Sequence, residues 1–344
     1  MARNVIEPRA DVEVSVCIAN YNGGTFVLDC LDSVHAQQVP FPIEVLVHDD
    51  ASTDGSLELI RSRFPTARIV AGEVNAGFCI SNNRLAGIAR GRYLLFLNND
   101  ARLMPGSLQQ LATFARDHDD CILGLPQHAL EDRALLDRGY WTDPFLNPVA
   151  CFEPGTRPTG VVTGACLWVP RTVWENVGGF PDWFESVAED IFLCLAARLL
   201  GHRVFVLDGP GFEHWVGRNL GGGKLVDGAL RTTVRRRALS ERNKTFAMLC
   251  CYPWQVLVPL LPLHLLFLAC EAVFLVAGGT GAGKARRIYA GIVPAVWRRR
   301  GDILRLRRRL MSQRRADVAE LFAFTRWFPH KLRMLARHGR PAVE

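Results

Sequence analysis

Four features of this 344-residue sequence carry side chains suited to chemistry on a charged, oxygen-rich substrate. Asp49 closes an apolar run and can accept a hydrogen bond from the ring N–H of a base. Asp100 closes the run Leu97-Asn98-Asn99-Asp100, and a strand-end carboxylate can hold a divalent cation, since hard cations prefer oxygen ligands. Glu189 and Asp190 are adjacent at a predicted helix start, where one of the two can stand beside a hydroxyl as general base. His214, in Glu213-His214-Trp215 after a predicted strand, can add a nitrogen ligand. Each also has an ordinary reading alone. A strand-end Asp caps turns, a single His is often structural, and paired acids equally serve glycoside hydrolysis.

The segments that must position these groups alternate. Apolar runs at Val14 to Ala19, Ile43 to Val47, Arg68 to Val70 and Tyr93 to Leu97 predict strands. Between them, Val27, Leu28, Leu31 and Val34 fall at helical spacing. Ser52-Thr53-Asp54 supplies cap-type residues before Leu57, Leu59 and Ile60, and Asn83 to Ala89 reads as helix. Such alternation predicts an α/β domain with a parallel sheet and ligands beyond the carboxyl ends of the strands, where Asn20, Asp49, Asp50 and Asp100 fall. Further along, a helix is expected from Pro105 to about His118 and a strand over Val161 to Val169. A helix is expected within Trp183 to Leu200 and a strand over Arg203 to Leu207. The run GRNLGGG at 217–223 predicts a mobile loop.

Charge divides the chain. The net is +7, yet residues 1–283 carry a net of −6 and residues 284–344 a net of +13. A basic tail on an acidic body favours phosphate-rich partners. Of residues 246–277 only Gln255, His264 and Glu271 are strongly polar, which is enough apolar length for one bilayer crossing but not two. Pro253, Pro259 and Pro262 are expected to break a straight helix there. Basic residues flank both sides: Arg235, Arg236, Arg237, Arg242 and Lys244 before, Lys284, Arg286 and Arg287 after. Together these predict a re-entrant or monotopic helix pair on the cytoplasmic face of the inner membrane, followed by amphipathic helices on an anionic lipid surface. The competing reading of 246–277 is a buried core helix. No nucleic-acid partner is expected. The N-terminus shows no apolar leader, so the ten cysteines are expected to be reduced and mostly buried. Gly278 to Ala285 (GGTGAGKA) is one residue short of a phosphate-binding loop; Ala285 replaces its Ser/Thr and no strand precedes it, so a flexible exit is the reading here.

Order and spacing say more than any single residue. The strings ANYNGG (19–24), VHDDASTDGS (47–56) and NAGFCISNNRLAGIARGRYLLFLNND (75–100), then TGACLWVPRTVWENVGGF (163–180) and AEDIFLC (188–194), resemble the family 2 glycosyltransferases of the GT-A fold. The likeness spans about residues 12–220. It is nearest to bacterial enzymes that build O-antigen (lipopolysaccharide) and other cell-surface polysaccharides, rhamnosyltransferases among them. It implies a GT-A, Rossmann-like nucleotide-sugar transferase domain over 12–230. That domain divides into a donor half (12–100) and an acceptor half (101–230). Membrane-associated helices over 231–283 and a basic tail over 284–344 follow, and residues 1–11 form a flexible start.

Residue by residue, the resemblance implies that Ala19, Asn20 and Tyr21 hold the donor nucleotide and Asp49 pairs with its pyrimidine ring. Asp50 stands where many relatives have Asn. Asn75, Gly77, Phe78 and Asn83 surround nucleotide and sugar. Asn98-Asn99-Asp100 occupies the DXD position, with Asp100 and His214 on a divalent cation, Mn²⁺ or Mg²⁺. Asp190, with Glu189 beside it, matches the general base, and Trp183 and Arg242 fall on the acceptor side. The chain departs from the pattern at Asn98, at Phe192 and at Phe180-Pro181-Asp182. The implied activity is inverting transfer of a sugar from a nucleotide-diphosphate donor to a lipid-linked glycan. A membrane-docked protein that binds a nucleotide sugar or polyanion without catalysis is the alternative.

Overall fold

A computed structural model describes residues 12–215, 222–226, 229–279, 281–339 and 341–344. The chain opens with β1 (Val14–Asn20), α1 (Phe26–His35), β2 (Ile43–Asp49), α2 (Ser56–Arg63), β3 (Arg68–Ala71), α3 (Phe78–Ile88) and β4 (Tyr93–Leu97). Next come β5 (Ala101–Leu103), α4 (Ser107–Asp117), β6 (Cys121–Gly124), β7 (Gln127–Ala129) and β8 (Leu135–Asp137). Then follow β9 (Tyr140–Thr142), β10 (Pro148–Ala150), β11 (Arg157–Pro158), β12 (Cys166–Pro170) and α5 (Arg171–Val177). A short 3₁₀ turn at Asp182–Phe184 precedes α6 (Glu189–Leu199), β13 (Arg203–Val206) and β14 (Phe212–His214). The remainder is β15 (Gly222–Val226), β16 (Ala229–Thr232), α7 (Val234–Cys251), α8 (Trp254–Ala277) and α9 (Ala282–Tyr289). It ends with α10 (Ile292–Arg298), α11 (Arg300–Ser312), α12 (Val318–Phe322), α13 (His330–His338) and β17 (Ala342–Val343).

These elements form two compact units. The first holds the chain up to Gly139, with Ala150–Ser186 and His202–Trp215; the second holds Tyr140–Val149, Val187–Gly201 and Val216–Glu344. The second unit thus takes α6 from the stretch that the sequence assigns to the catalytic domain.

The first unit is built on an eight-stranded sheet of order β11-β13-β6-β12-β4-β1-β2-β3. Strands β3, β2, β1 and β4 are parallel, as the alternation predicts. The full sheet is mixed, because β12 lies antiparallel between β4 and β6. The expected strand at 161–169 is therefore shorter and later, beginning at Cys166. Val16, Ile18, Val47, Leu95 and Trp168 belong to its buried core, with Leu31 and Val34 of α1 packed there too. Helix α3 starts at Phe78, earlier than the sequence suggests, because Gly77 turns the chain at φ +90°. A smaller sheet, β5-β14-β7-β8, pairs His214 with Ala101 on one side and Ala129 on the other.

The second unit is mostly helical. Helix α8 is one continuous helix of 24 residues with Pro259 and Pro262 inside it, which corrects the expected helix break. Each proline removes one i→i−4 bond, and both prolines are exposed. Pro253 alone ends a helix, separating α7 from α8. All ten cysteines are free thiols and eight are buried. The loop expected at 217–223 falls largely outside the described residues; Gly222 and Gly223 begin β15. Lys284 follows a helix rather than a strand and donates to the Val343 carbonyl at 2.7 Å, a structural task.

Candidate active site

Two polar clusters stand at the carboxyl ends of β1, β2 and β4. Parallel register sets Asn20 beside Asp49. The buried Asn20 amide donates to Asp49 Oδ1 at 2.9 Å, to Ser56 Oγ at 3.0 Å and to Ser52 Oγ at 3.2 Å. Its own oxygen accepts from Asn99 Nδ2 at 2.9 Å. Gly23 closes over this network: a Cβ there would stand 2.2 Å from Asn20 Oδ1 and 2.9 Å from Asn99 Nδ2. The second Asp49 oxygen accepts the Ser52 N–H at 3.0 Å, and the residue is 1% exposed, so Asp49 anchors the strand end from inside. A carboxylate has about four acceptor sites, so two protein hydrogen bonds do not exhaust it.

Asp50 points elsewhere. It accepts the backbone N–H groups of Ala76 at 2.7 Å and Gly77 at 2.8 Å, fixing the entry to α3. Ala19 is half-buried, while Tyr21, 41% exposed, and Asn75 stand open to solvent. Phe78 packs against Phe180 at 6.0 Å between centroids. Asn83, expected around the donor sugar, braces the turn at Phe180–Asp182. Its amide nitrogen donates to Phe180 O and to Asp182, and its oxygen accepts from Phe180 N–H. Trp183 is half-buried, edge-on to Phe184.

The second cluster surrounds Asp100. The sheet pairing that joins β14 to β5 puts His214 Nε2 3.2 Å from Asp100 Oδ1. The Trp215 N–H donates to the Asp100 carbonyl at 3.1 Å and holds the two segments together. His214 is flanked by two amides, with Asn98 Nδ2 3.3 Å from Nε2 and Gln127 Nε2 3.2 Å from Nδ1. Asp100 Oδ1, Asn98 Oδ1 and Gln127 Oε1 are buried with no hydrogen-bond partner. Among the described residues no group of three or more His, Cys, Asp or Glu is placed to hold an ion. One carboxylate with an unsatisfied oxygen beside one imidazole still fits a divalent cation, provided a ligand such as a diphosphate supplies the remaining oxygens. Sequence reasoning missed Gln127, which lies in a short strand with no motif around it. It also missed Ser56, and Ser52 as more than a cap residue, although both lie inside VHDDASTDGS.

In the second unit, Glu189 and Asp190 form the first turn of α6, where acidic side chains suit the helix dipole. Ala188, just before them, is held at φ +66°. Glu189 is buried, and burial, then the neighbouring Asp190, pushes its carboxyl up to about 8, so it is mostly protonated at neutral pH. Asp190 is half-buried and accepts the Ile191 N–H at 2.7 Å. On α7, the buried Asn243 donates to the Val187 carbonyl at 2.8 Å and so supports the entry to α6. Arg242 donates to Asn243 Oδ1 at 3.0 Å and lies over Phe246.

A mixed sheet with acids at the ends of its parallel strands, and a strand-end Asp beside a His, is an arrangement of the GT-A fold. Residues 15–177 match the family model described as "Glycosyl transferase family 2". The N-acetylglucosaminyl-diphospho-decaprenol L-rhamnosyltransferase of Mycobacterium tuberculosis (strain ATCC 25618 / H37Rv) is 27% identical over 186 residues, 44% of this chain and 60% of that protein. The chain spans less than two thirds of the length of the curated relatives it matches. Among solved structures, S. aureus TarS 1-349 in complex with UDP-GlcNAc aligns with a TM-score of 0.53 at 18% identity, covering 88% of this chain and 91% of that one. GalNAc-T7 with UDP, GalNAc and Mn²⁺ also gives 0.53, at 14% identity, covering 60% and 44%. At these identities the likeness is one of fold.

Proposed function

We propose that the protein is an inverting glycosyltransferase that moves a sugar, rhamnose or another hexose, from a nucleotide-diphosphate donor to a lipid-linked saccharide acceptor during cell-surface polysaccharide synthesis. The unsatisfied oxygen of Asp100, held beside His214 at the end of β4, is the observation that carries this reading. A divalent cation on these two side chains would neutralise charge developing on the nucleoside diphosphate as it leaves. Tyr21 offers an exposed ring for a base to lie against, and Asp49 offers acceptor capacity toward a ring N–H. Asn75, Gly77 and Phe78 line the sugar end, on an entry segment that Asp50 fixes. Asp190 takes the proton of the acceptor hydroxyl, and a single displacement inverts the anomeric centre. Glu189, neutral beside it, adds no second negative charge. Trp183 and Arg242 contact the acceptor. Catalysis takes place at the cytoplasmic face of the membrane, the protein being held there peripherally or monotopically, where lipid-linked acceptor is concentrated.

Incubating the full chain with a panel of nucleotide sugars, Mn²⁺ and a polyprenyl-diphosphate saccharide tests this. One donor should yield glycosylated lipid and released nucleotide, both abolished by EDTA. Nucleotide-sugar binding with no transfer to any acceptor would favour the non-catalytic alternative.

A further inference from the structure

Helix α8 is long and apolar enough to cross a bilayer: its 24 residues span about 36 Å, against about 30 Å of hydrocarbon. Its surroundings point to another arrangement. Its two strongly polar interior residues, His264 and Glu271, are seven residues apart and share one face with Leu257, Leu268 and Leu275. That face is turned to the protein. His264 Nε2 lies 2.9 Å from Thr245 Oγ1 of α7, and Glu271 pairs with Lys331 of α13 at 2.8 Å and Arg237 of α7 at 3.5 Å. Tyr289 of α9 donates to Glu271 at 3.2 Å. Helices α7 and α8 therefore lie side by side, and α7 brings Arg237, Glu241 and Lys244 into the contact. Driving α8 through the hydrocarbon would carry this charged cluster to the same depth.

The opposite face has no charged residue. Trp254 (60% exposed), Val258 (65%), Leu266 (59%) and Val273 (69%) stand along its length. Beyond α8 the exposed side chains change character. Lys284, Arg286 and Arg287 on α9, and Arg298 to Arg300, Arg305 and Arg308 at the end of α10 and on α11, all face solvent. Trp297 is exposed with Arg300 stacked at 4.5 Å, and Arg307 lies 4.1 Å over the exposed Trp254. Arg299 and Arg305 share Asp302, which leaves the cluster strongly basic. Apolar length, exposed tryptophans and a surplus of exposed arginines are the composition of a surface that lies in a headgroup layer.

We infer that α8 is an in-plane anchor: it lies parallel to an anionic bilayer, its outer face sunk to the acyl boundary, and does not cross. This deepens the proposed membrane association and rests on it. The occupant of the face is lipid, since the arginines beyond it complement anionic headgroups whereas a second copy would bring like charges.

The test uses the full chain with phosphatidylcholine vesicles, with and without phosphatidylglycerol. Flotation should require the anionic lipid and should be lost in V258D/V273D with circular dichroism unchanged. Cys270 is the exposed cysteine of α8 and takes a fluorescent label directly; V258C and L266C in a Cys270→Ser background give two further positions. Nitroxides near the headgroup should quench all three labels alike, and nitroxides at the chain ends should quench none strongly. Deepest quenching at Leu266, with shallow ends, would overturn the in-plane arrangement while keeping membrane association. Absence of flotation, or chains that pair through α8 instead, would overturn both.

Discussion

His214 Nε2 stands 3.2 Å from Asp100 Oδ1 without the alignment of a hydrogen bond, so the carboxylate oxygen stays unsatisfied inside the protein. An oxygen buried without a partner costs free energy unless something charged or protic meets it. A cation at this place would remove the cost, and Gln127 at 3.2 Å from Nδ1 sets how the imidazole is presented. Gln127→Leu should weaken Mn²⁺ binding in the presence of UDP about 10–100-fold, the usual effect of losing an outer-shell partner. Mn²⁺ electron paramagnetic resonance titration reads this, and an affinity equal to the parent's would refute the role.

Asp190 is tested by separating binding from chemistry. Asp190→Asn should leave nucleotide-sugar affinity within a factor of about two while transfer falls by about 10²–10⁴, the typical worth of a general base. Calorimetry with the donor and a radiolabel transfer assay make the comparison.

Glu189 makes stability fall as pH rises. Its folded-state value of about 8 lies above the ordinary carboxyl value, so the folded chain holds a proton that the unfolded chain has released. Stability is greatest below the unfolded value and is lost progressively up to about 8. Glu189→Gln should flatten that dependence, gaining up to a few kcal/mol relative to the parent at pH values above it. Urea denaturation across the pH range measures this; parallel curves would contradict it.

Glycine at position 23 is required by space. Gly23→Ala would drive a methyl group against Asn20 Oδ1 and Asn99 Nδ2 and open the buried network. A loss of roughly 1–3 kcal/mol, the cost of stranding buried polar groups, should appear in thermal unfolding together with weaker donor binding.

In the second unit, Glu241 is buried between Lys244 at 3.0 Å and Lys331 at 2.8 Å. Burial opposes its charge, but the two lysines and Arg237 outweigh that and hold it well below the usual carboxylate range. Glu241→Gln leaves the cations facing one another and should destabilise by roughly 3–5 kcal/mol. Chemical denaturation followed by tryptophan fluorescence checks it.

The strand ends of the donor half were legible in the sequence because Asn20 and Asp49 close apolar runs and Asp100 follows one. Asn20, Asp49 and Asp100 needed only the strand ends to be placed, and period and turn signals place those. Other features were not legible, for identifiable reasons. The antiparallel insertion of β12 depends on pairing across some 70 residues, which no local pattern encodes. Gln127 acts through its neighbour on a small sheet, and nothing in its own surroundings marks it. Prolines 259 and 262 suggested a break, yet a helix packed along α7 survives two missing bonds when both prolines are exposed. Val187 and Ala188 take positive φ without being glycine, so the tight entry to α6 left no mark in composition.

The position of β12 also bears on how the chain is made. During synthesis β4 leaves the ribosome with β1 on one side and bare amide and carbonyl groups on the other, until residues 166–170 follow. For that interval the nascent chain carries an open edge on a strand of largely apolar side chains, able to recruit a strand from a neighbouring polypeptide. A fragment ending near residue 100 would keep that edge for good and should be prone to aggregate, and chaperone demand should be highest midway through translation.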